Sequence, residues 1–307
     1  MNMAKQVIKA KAQTVQEIRR LRKKAEEQLF KLPNVIGSMI GLKMKSGKLT
    51  KQIGLTIFVS QKVLPGQLGP REQIPSRIIV NGHPVHIDVL ELRPLRPQAN
   101  IFPDYPLSLS DGFQTGVVSS FCRSPYGFFG LTCAHVVGGP DKNPATPDPV
   151  EILSASPKPH YIQVGKTLCA FVGSGCGISC NFGFADAALF ALDHPELLER
   201  AQKAKVVKAA APKLGEILHG HAASQPTITG QVHGIEAKAY EMFIDVLIKV
   251  DAPGTSKGDS GMLWKNQKGK PVAIHAYAPE DVNSSVSAAM LAGGVASLLC
   301  VNFLNEP

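Results

Sequence analysis

The chain has 307 residues, 44% of them hydrophobic and 19% charged, a composition that allows a sizeable core and excludes disordered, collagen-like and disulfide-dense classes. Its net charge is +9, yet residues 1–60 hold thirteen Lys or Arg against three Glu, a net +10, which leaves −1 for everything after them. The basicity therefore belongs to the N-terminal segment, where a solvated helix face is the expected reading and a nucleic-acid contact the less favoured alternative.

Thr14-Val15-Gln16-Glu17 has the form of a capping box and predicts a helix start. Val15, Ile18, Leu21, Ala25 and Leu29 then recur at three- and four-residue spacing until Pro33 stops the pattern, giving one apolar stripe. That stripe docks on its own domain or, in the second reading, joins subunits of a homo-oligomer. Residues 35–44 and 49–60 alternate as a β-hairpin, and residues 77–80 and 85–92 as another, turning at Asn81-Gly82. A small α+β domain is thus expected over 1–95. Prolines at 94, 97, 103 and 106 predict a stiff linker over 96–106.

Residues 107–307 read as mainly β, with strands at 116–122, 128–133, 161–172, 186–192, 215–220, 227–234, 242–250 and 272–276. Helices are expected only at 195–204 and near 294–304. Such a strand series fits two packed barrels. The uncharged stretch 285–304 is diluted by Gly293, Gly294, Ser297 and Asn302, so it reads as a core strand and a C-terminal helix and not as a membrane span. Residues 1–20 lack the apolar run of a signal peptide, so a cytoplasmic protein with reduced cysteines is expected. Cys176 and Cys180 are the one close cysteine pair among the six. Without a second pair they do not predict zinc, and no metal or cofactor is expected.

The stretch Thr255-Ser256-Lys257-Gly258-Asp259-Ser260-Gly261 offers the chemistry. A serine hydroxyl is a weak nucleophile, so Ser260 needs a histidine base, a carboxylate to orient that base and donors for an oxyanion. His135 follows a predicted strand within Thr132-Cys133-Ala134-His135-Val136-Val137, and Asp186 lies in the apolar run Ala185-Asp186-Ala187-Ala188-Leu189, which would bury its carboxylate. These three segments, in the order His, Asp, Ser, resemble the motifs of chymotrypsin-fold serine peptidases. The α+β segment in front of them is similar to that of the plant narrow-leaf-type trypsin-like proteins and their bacterial relatives. The resemblance implies a mainly β, double-barrel serine endopeptidase acting on protein or peptide, with His135, Asp186 and Ser260 as its catalytic residues and the N–H groups of Gly258 and Ser260 as its oxyanion hole. Two departures stand out. Val136 replaces the cysteine that follows the histidine in the digestive enzymes, and no Ile-Val-Gly-Gly start is present to pair with Asp259.

Gly254 occupies the position where trypsin-like enzymes keep an aspartate, which argues against Arg/Lys cleavage. Thr255 and His275 are similar to the Thr and His that hold an acidic side chain in glutamyl endopeptidases, against the plainer reading of His275 as a residue of the strand wall. Two other functions remain in view: a peptide-binding protein of the same fold that does not cleave, and a protease localised on nucleic acid by its basic helix.

Overall fold

The computed structural model describes residues 13–69, 72–97, 107–109, 115–137, 149–154, 160–174, 184–222, 227–240, 242–279 and 284–305. The chain divides into two compact units, Met1–Glu91 and Leu92–Pro307.

In the first unit, helix α1 (Val15–Leu29) begins at the expected capping box. Glu17 N–H donates to Thr14 Oγ1 at 3.2 Å, and Thr14 N–H donates back to Glu17 Oε2 at 2.8 Å, satisfying two donors that a helix start would otherwise leave open. Ile18, Leu21, Ala25 and Leu29 are buried against β1 (Val35–Lys45) and β2 (Lys48–Val59), while Val15 is only half-buried. Strands β3 (Arg77–Val80) and β4 (His83–Glu91) form the second hairpin. Both turns, Ser46-Gly47 and Asn81-Gly82, place two consecutive residues at positive φ, the requirement of a type I′ turn and the reason glycine stands second in each. The hairpins join through a parallel β2–β4 pairing, Leu55 opposite Ile87, giving the order β1-β2-β4-β3.

The second unit runs through β5 (Leu95–Pro97), β6 (Leu107–Leu109), β7 (Thr115–Gly116), β8 (Ser120–Ser124), β9 (Gly127–Thr132), β10 (Pro149–Ser154), β11 (His160–Ser174), β12 (Phe184–Ala191), α2 (Pro195–Lys203) and β13 (Lys205–Val207). It continues with β14 (Ile217–Gly220), β15 (Ile228–Ala239), β16 (Met242–Val250), β17 (Leu263–Asn266), β18 (Pro271–Pro279), β19 (Val286–Leu291), α3 (Ala292–Leu298) and β20 (Asn302–Asn305). One sheet has the order β13-β20-β8-β9-β12-β11-β10-β6-β7. In the other, β14-β17-β18-β19-β16-β15 closes on itself because β15 also pairs with β14. Closure leaves no free edge in that ring. Its interior is filled by Val232, Val246, Ile248, Val250, Met262, Trp264 and Val272. The unit is mainly β with two sheets, consistent with a chymotrypsin-like double β-barrel.

Several expectations are corrected. The C-terminal helix stops at Leu298. Cys300 takes a left-handed φ of 54° and turns the chain into β20, which pairs Phe303 with Cys122 and buries both Phe303 and Leu304. The strand expected to end at 234 continues to Ala239, because the register shift between Val232 and Gly234 is a bulge and not a break. The linker expected over 96–106 starts inside β5, which pairs Arg96 with Ala278, and residues 98–106 lie outside the described residues. So do Cys176 and Cys180. Cys122 and Cys133 are buried free thiols, and Cys169 and Cys300 are free and exposed. No helix among the described residues is long and apolar enough to cross a membrane.

Candidate active site

Both sheets of the second unit contribute to one cluster. Strand β9 leads through Cys133 into a single 3-10 turn, Ala134–Val137, that carries His135. Ala134, Val136 and Val137 are buried beneath the turn, which leaves His135 as the residue that faces outward, with 13% of its side chain exposed. Asp186 lies near the start of β12, opposite Val172 of β11, and has no exposed surface. Ser260 comes from the loop before β17, in the other sheet. That loop is fastened from both sides. Val117 N–H donates to Ser260 O at 2.7 Å, Gly261 N–H to His275 O at 2.9 Å, and His275 N–H to Met262 O at 2.9 Å.

The three sequence-predicted residues meet. His135 Nε2 is 2.8 Å from Ser260 Oγ, and His135 Nδ1 is 2.5 Å from Asp186 Oδ2. The second carboxylate oxygen, Oδ1, accepts the backbone N–H of His135 at 3.0 Å. With Nδ1 donating to the carboxylate, Nε2 is left as an acceptor for the serine proton. Ser260 Oγ also lies 3.2 Å from Ala276 O, and Ser260 itself is fully buried. Burial by itself pushes the Asp186 carboxyl up, but the hydrogen bond and charge of His135, with hydrogen bonds from Tyr277 and from the His135 backbone, outweigh it and hold Asp186 below the ordinary carboxylate range.

Tyr277 is the residue the sequence reading missed. Its hydroxyl donates to Asp186 Oδ2 at 2.6 Å, and its ring lies 5.8 Å from that of His135 at 46°. Its only sequence signal was a phenol inside an apolar strand, which needs a polar partner wherever it is buried.

Gly258 and Asp259 are also placed. Gly258 has φ 99°, a conformation that glycine adopts without steric cost. Asp259, for which the sequence offered no partner, turns back on its own loop, where Oδ2 accepts the backbone N–H of Ser256 at 2.8 Å. Asp259 N–H in turn donates to Ser256 O, and Met262 N–H to Asp259 O. Among the described residues, the N–H groups of Gly258 and Ser260 have no hydrogen-bond acceptor.

Around the serine loop, Gly254 is buried with φ 97°. Thr255 is buried and bridges to Ser284 through paired backbone hydrogen bonds of 2.9 and 2.8 Å. His275 has no exposed surface, and its Nδ1 is 2.8 Å from Ser287 Oγ, which also accepts the Trp264 indole N–H at 3.1 Å. Ser287 has no other acceptor for its own proton among the described residues, so the hydrogen-bond network assigns that proton to Nδ1. This puts the His275 proton on Nε2, a buried donor without a partner. Burial, then the charge of nearby His135, lowers the His275 pKa to about 3, so His275 is neutral.

A stability consequence follows from this neutrality. The folded pKa of about 3 lies below the usual 6.5, so between those values the unfolded chain binds a proton that the folded chain does not. Stability is therefore unaffected by His275 above pH 6.5 and falls as the pH drops from 6.5 toward 3, at about 1.4 kcal/mol per unit. Urea titrations at pH 7.5 and 4.5 should show the wild type losing about 2–3 kcal/mol more than His275→Gln.

No family model matches the chain, and no curated protein matches it. Solved structures similar to it are chymotrypsin-fold serine proteases. One is a glutamic acid specific serine protease that uses a histidine triad in substrate binding, 10% identical over 65% of this chain and 98% of that one, with a TM-score of 0.44. Thermobifida fusca Protease A is 13% identical over 67% of this chain and 99% of its own, also at 0.44. Cellulomonas bogoriensis chymotrypsin is 10% identical over 66% and 97%, at 0.40. These likenesses concern the chain trace alone, and the functional reading rests on the geometry of the cluster.

Proposed function

We propose that the protein is a serine endopeptidase that hydrolyses peptide bonds through an acyl-enzyme. The observation that carries this reading is the continuous hydrogen-bonded series Ser260 Oγ, His135 Nε2, His135 Nδ1, Asp186 Oδ2, with both links at 2.8 Å or less. His135 takes the Ser260 proton as Oγ attacks the carbonyl carbon and returns it to the leaving amine. A water then gives a proton to His135 and attacks the ester carbon, and His135 returns that proton to Ser260 Oγ as the acyl–oxygen bond breaks and the acid is released. Asp186 holds the imidazole in the required tautomer and stabilises its charged form. The N–H groups of Gly258 and Ser260 receive the oxyanion, and one such donor lowers the barrier by about 3 kcal/mol.

At the P1 position, Gly254 supplies no counter-charge for Arg or Lys. The His275 Nε2–H, joined by the Thr255 hydroxyl when it turns from its long 3.5 Å contact with Ser284 O, favours a side chain that accepts hydrogen bonds, and the proposal is therefore an acidic P1 residue. Because His275 is neutral, it contributes a donor and not a charge. In a peptide series varied at P1, Glu or Asp should be cleaved fastest and Arg or Lys slowest. Equal rates for Glu and Leu would remove the specificity proposal while leaving the peptidase intact.

The test of the activity itself is fluorophosphonate labelling of the full-length chain, with the modified residue mapped by mass spectrometry. Label on Ser260 that disappears in Ser260→Ala supports the peptidase. A folded chain that binds peptide but takes no label would make it a binding protein of this fold.

A further inference from the structure

Asp186 is held by more than the residue it orients. Oδ2 accepts from His135 Nδ1 at 2.5 Å and from the Tyr277 hydroxyl at 2.6 Å, while Oδ1 accepts the His135 backbone N–H at 3.0 Å. Tyr277 sits on β18 immediately after Ala276, whose carbonyl faces Ser260 Oγ, and two residues after His275. A register shift between His275 and Tyr277 interrupts the pairing with β19 at this point. Regular β alternation would send positions 275 and 277 to the same face. With the bulge, His275 reaches Ser287 in the second sheet while Tyr277 reaches Asp186 in the first. One strand thus fastens the aspartate from the barrel that supplies the serine.

We propose that Tyr277 is a positioning residue for the reaction: its hydroxyl locks the Asp186 carboxylate and moderates the basicity of His135. The proposal rests on the peptidase reading above. The physical argument concerns charge. A donor on Oδ2 draws electron density from the very oxygen that faces the imidazole, so it weakens the attraction of the carboxylate for a protonated His135 and keeps the base available at lower pH. Tyr277 is a permanent donor, because burial and the Asp186 charge push its phenol well above the usual range. Its ring is buried beside that of His135, and its hydroxyl holds the oxygen that faces Nδ1.

The experiment compares the wild type with Tyr277→Phe, which keeps the ring and removes the hydroxyl. The readout is the second-order rate of Ser260 labelling by a fluorophosphonate as a function of pH. The expected result is a rate about tenfold lower, with the acid limb of the profile moved up by about half a pH unit, in a protein whose melting profile shows it folded. A limb at the same pH overturns the proposal, whether or not the rate falls, because a purely structural role would change the rate alone. If wild-type Ser260 takes no label, the peptidase reading fails, and the His135 titration followed by nitrogen-15 NMR decides Tyr277 separately. A higher His135 pKa in Tyr277→Phe supports the positioning role, and an unmoved one overturns it. If Tyr277→Phe does not fold, 3-fluorotyrosine incorporated into the wild type provides the opposite perturbation. The more acidic phenol donates more strongly, so the acid limb should move down, and an unmoved limb overturns the proposal.

Discussion

Asp186→Asn should lower kcat for a cleaved peptide by about 10⁴-fold with little change in KM. The reason lies in how the carboxylate is used. Oδ1 accepts the His135 backbone N–H, while Oδ2 accepts both Nδ1 and the Tyr277 hydroxyl, so an amide placed here must turn its NH₂ toward the backbone N–H or toward the side that Nδ1 and Tyr277 share. Facing the backbone N–H would oppose a donor that cannot adjust, whereas the Tyr277 hydroxyl can rotate its proton away. Facing Nδ1 lets the imidazole shift its proton to Nε2 and accept from the amide, and this is the arrangement the variant should adopt. In that tautomer Nε2 is itself a donor and cannot take the proton of Ser260. Steady-state kinetics on a P1-Glu peptide would check the prediction, with fluorophosphonate labelling as a control. A kcat within tenfold of wild type would show that the imidazole does not need Asp186 to hold its tautomer.

Gly261→Ala carries the second large effect, on the fold around the site. Gly261 has φ +95°, and a Cβ added there would lie 2.1 Å from Val117 O and 2.8 Å from Thr132 Oγ1. The first of these neighbours is backbone. It cannot rotate away, and its partners are engaged, since Thr132 Oγ1 donates to Val117 O while Val117 N–H donates to Ser260 O. The methyl group therefore either displaces the Val117 segment that joins β7 to β8 in one sheet or moves the Ser260 loop of the other. Overpacking together with the unfavourable φ is expected to cost about 3–5 kcal/mol. A lowered urea midpoint at unchanged slope, together with strongly slowed labelling of Ser260, is the expected outcome. Stability within 1 kcal/mol of wild type would show that the two sheets tolerate separation at this point.

The site was legible in the sequence wherever a residue type announces its chemistry locally. Gly258-Asp259-Ser260-Gly261 is a short loop whose glycines open positive φ to it, His135 follows a strand, and Asp186 sits in a run too apolar to leave a carboxylate unpaired. The two I′ turns and the α1 capping box were legible for the same reason, since each depends on neighbours within four residues. Tyr277 was not legible, because its partner is 91 residues earlier and its orientation depends on a bulge that no local pattern marks. The environment of His275 was not legible. Its position suggested a contact with substrate, but its tautomer and neutrality come from Ser287, Trp264 and complete burial.

By itself, the sequence determined the helix and both hairpins of the first unit and the β character of the second, because capping, turn geometry and side-chain alternation are written in short windows, and it singled out His135, Asp186 and Ser260, which the structure brings together. Only the tertiary structure decided the parallel β2–β4 pairing, the ring closure that β14 completes by pairing with β17, and the strand after Cys300, all of which depend on pairings between segments distant in the sequence. It alone also decided how Asp259 is held and which donors share Asp186. A hydrogen bond is settled by where the folded backbone places the two groups, and residue identity shows only that a partner is needed.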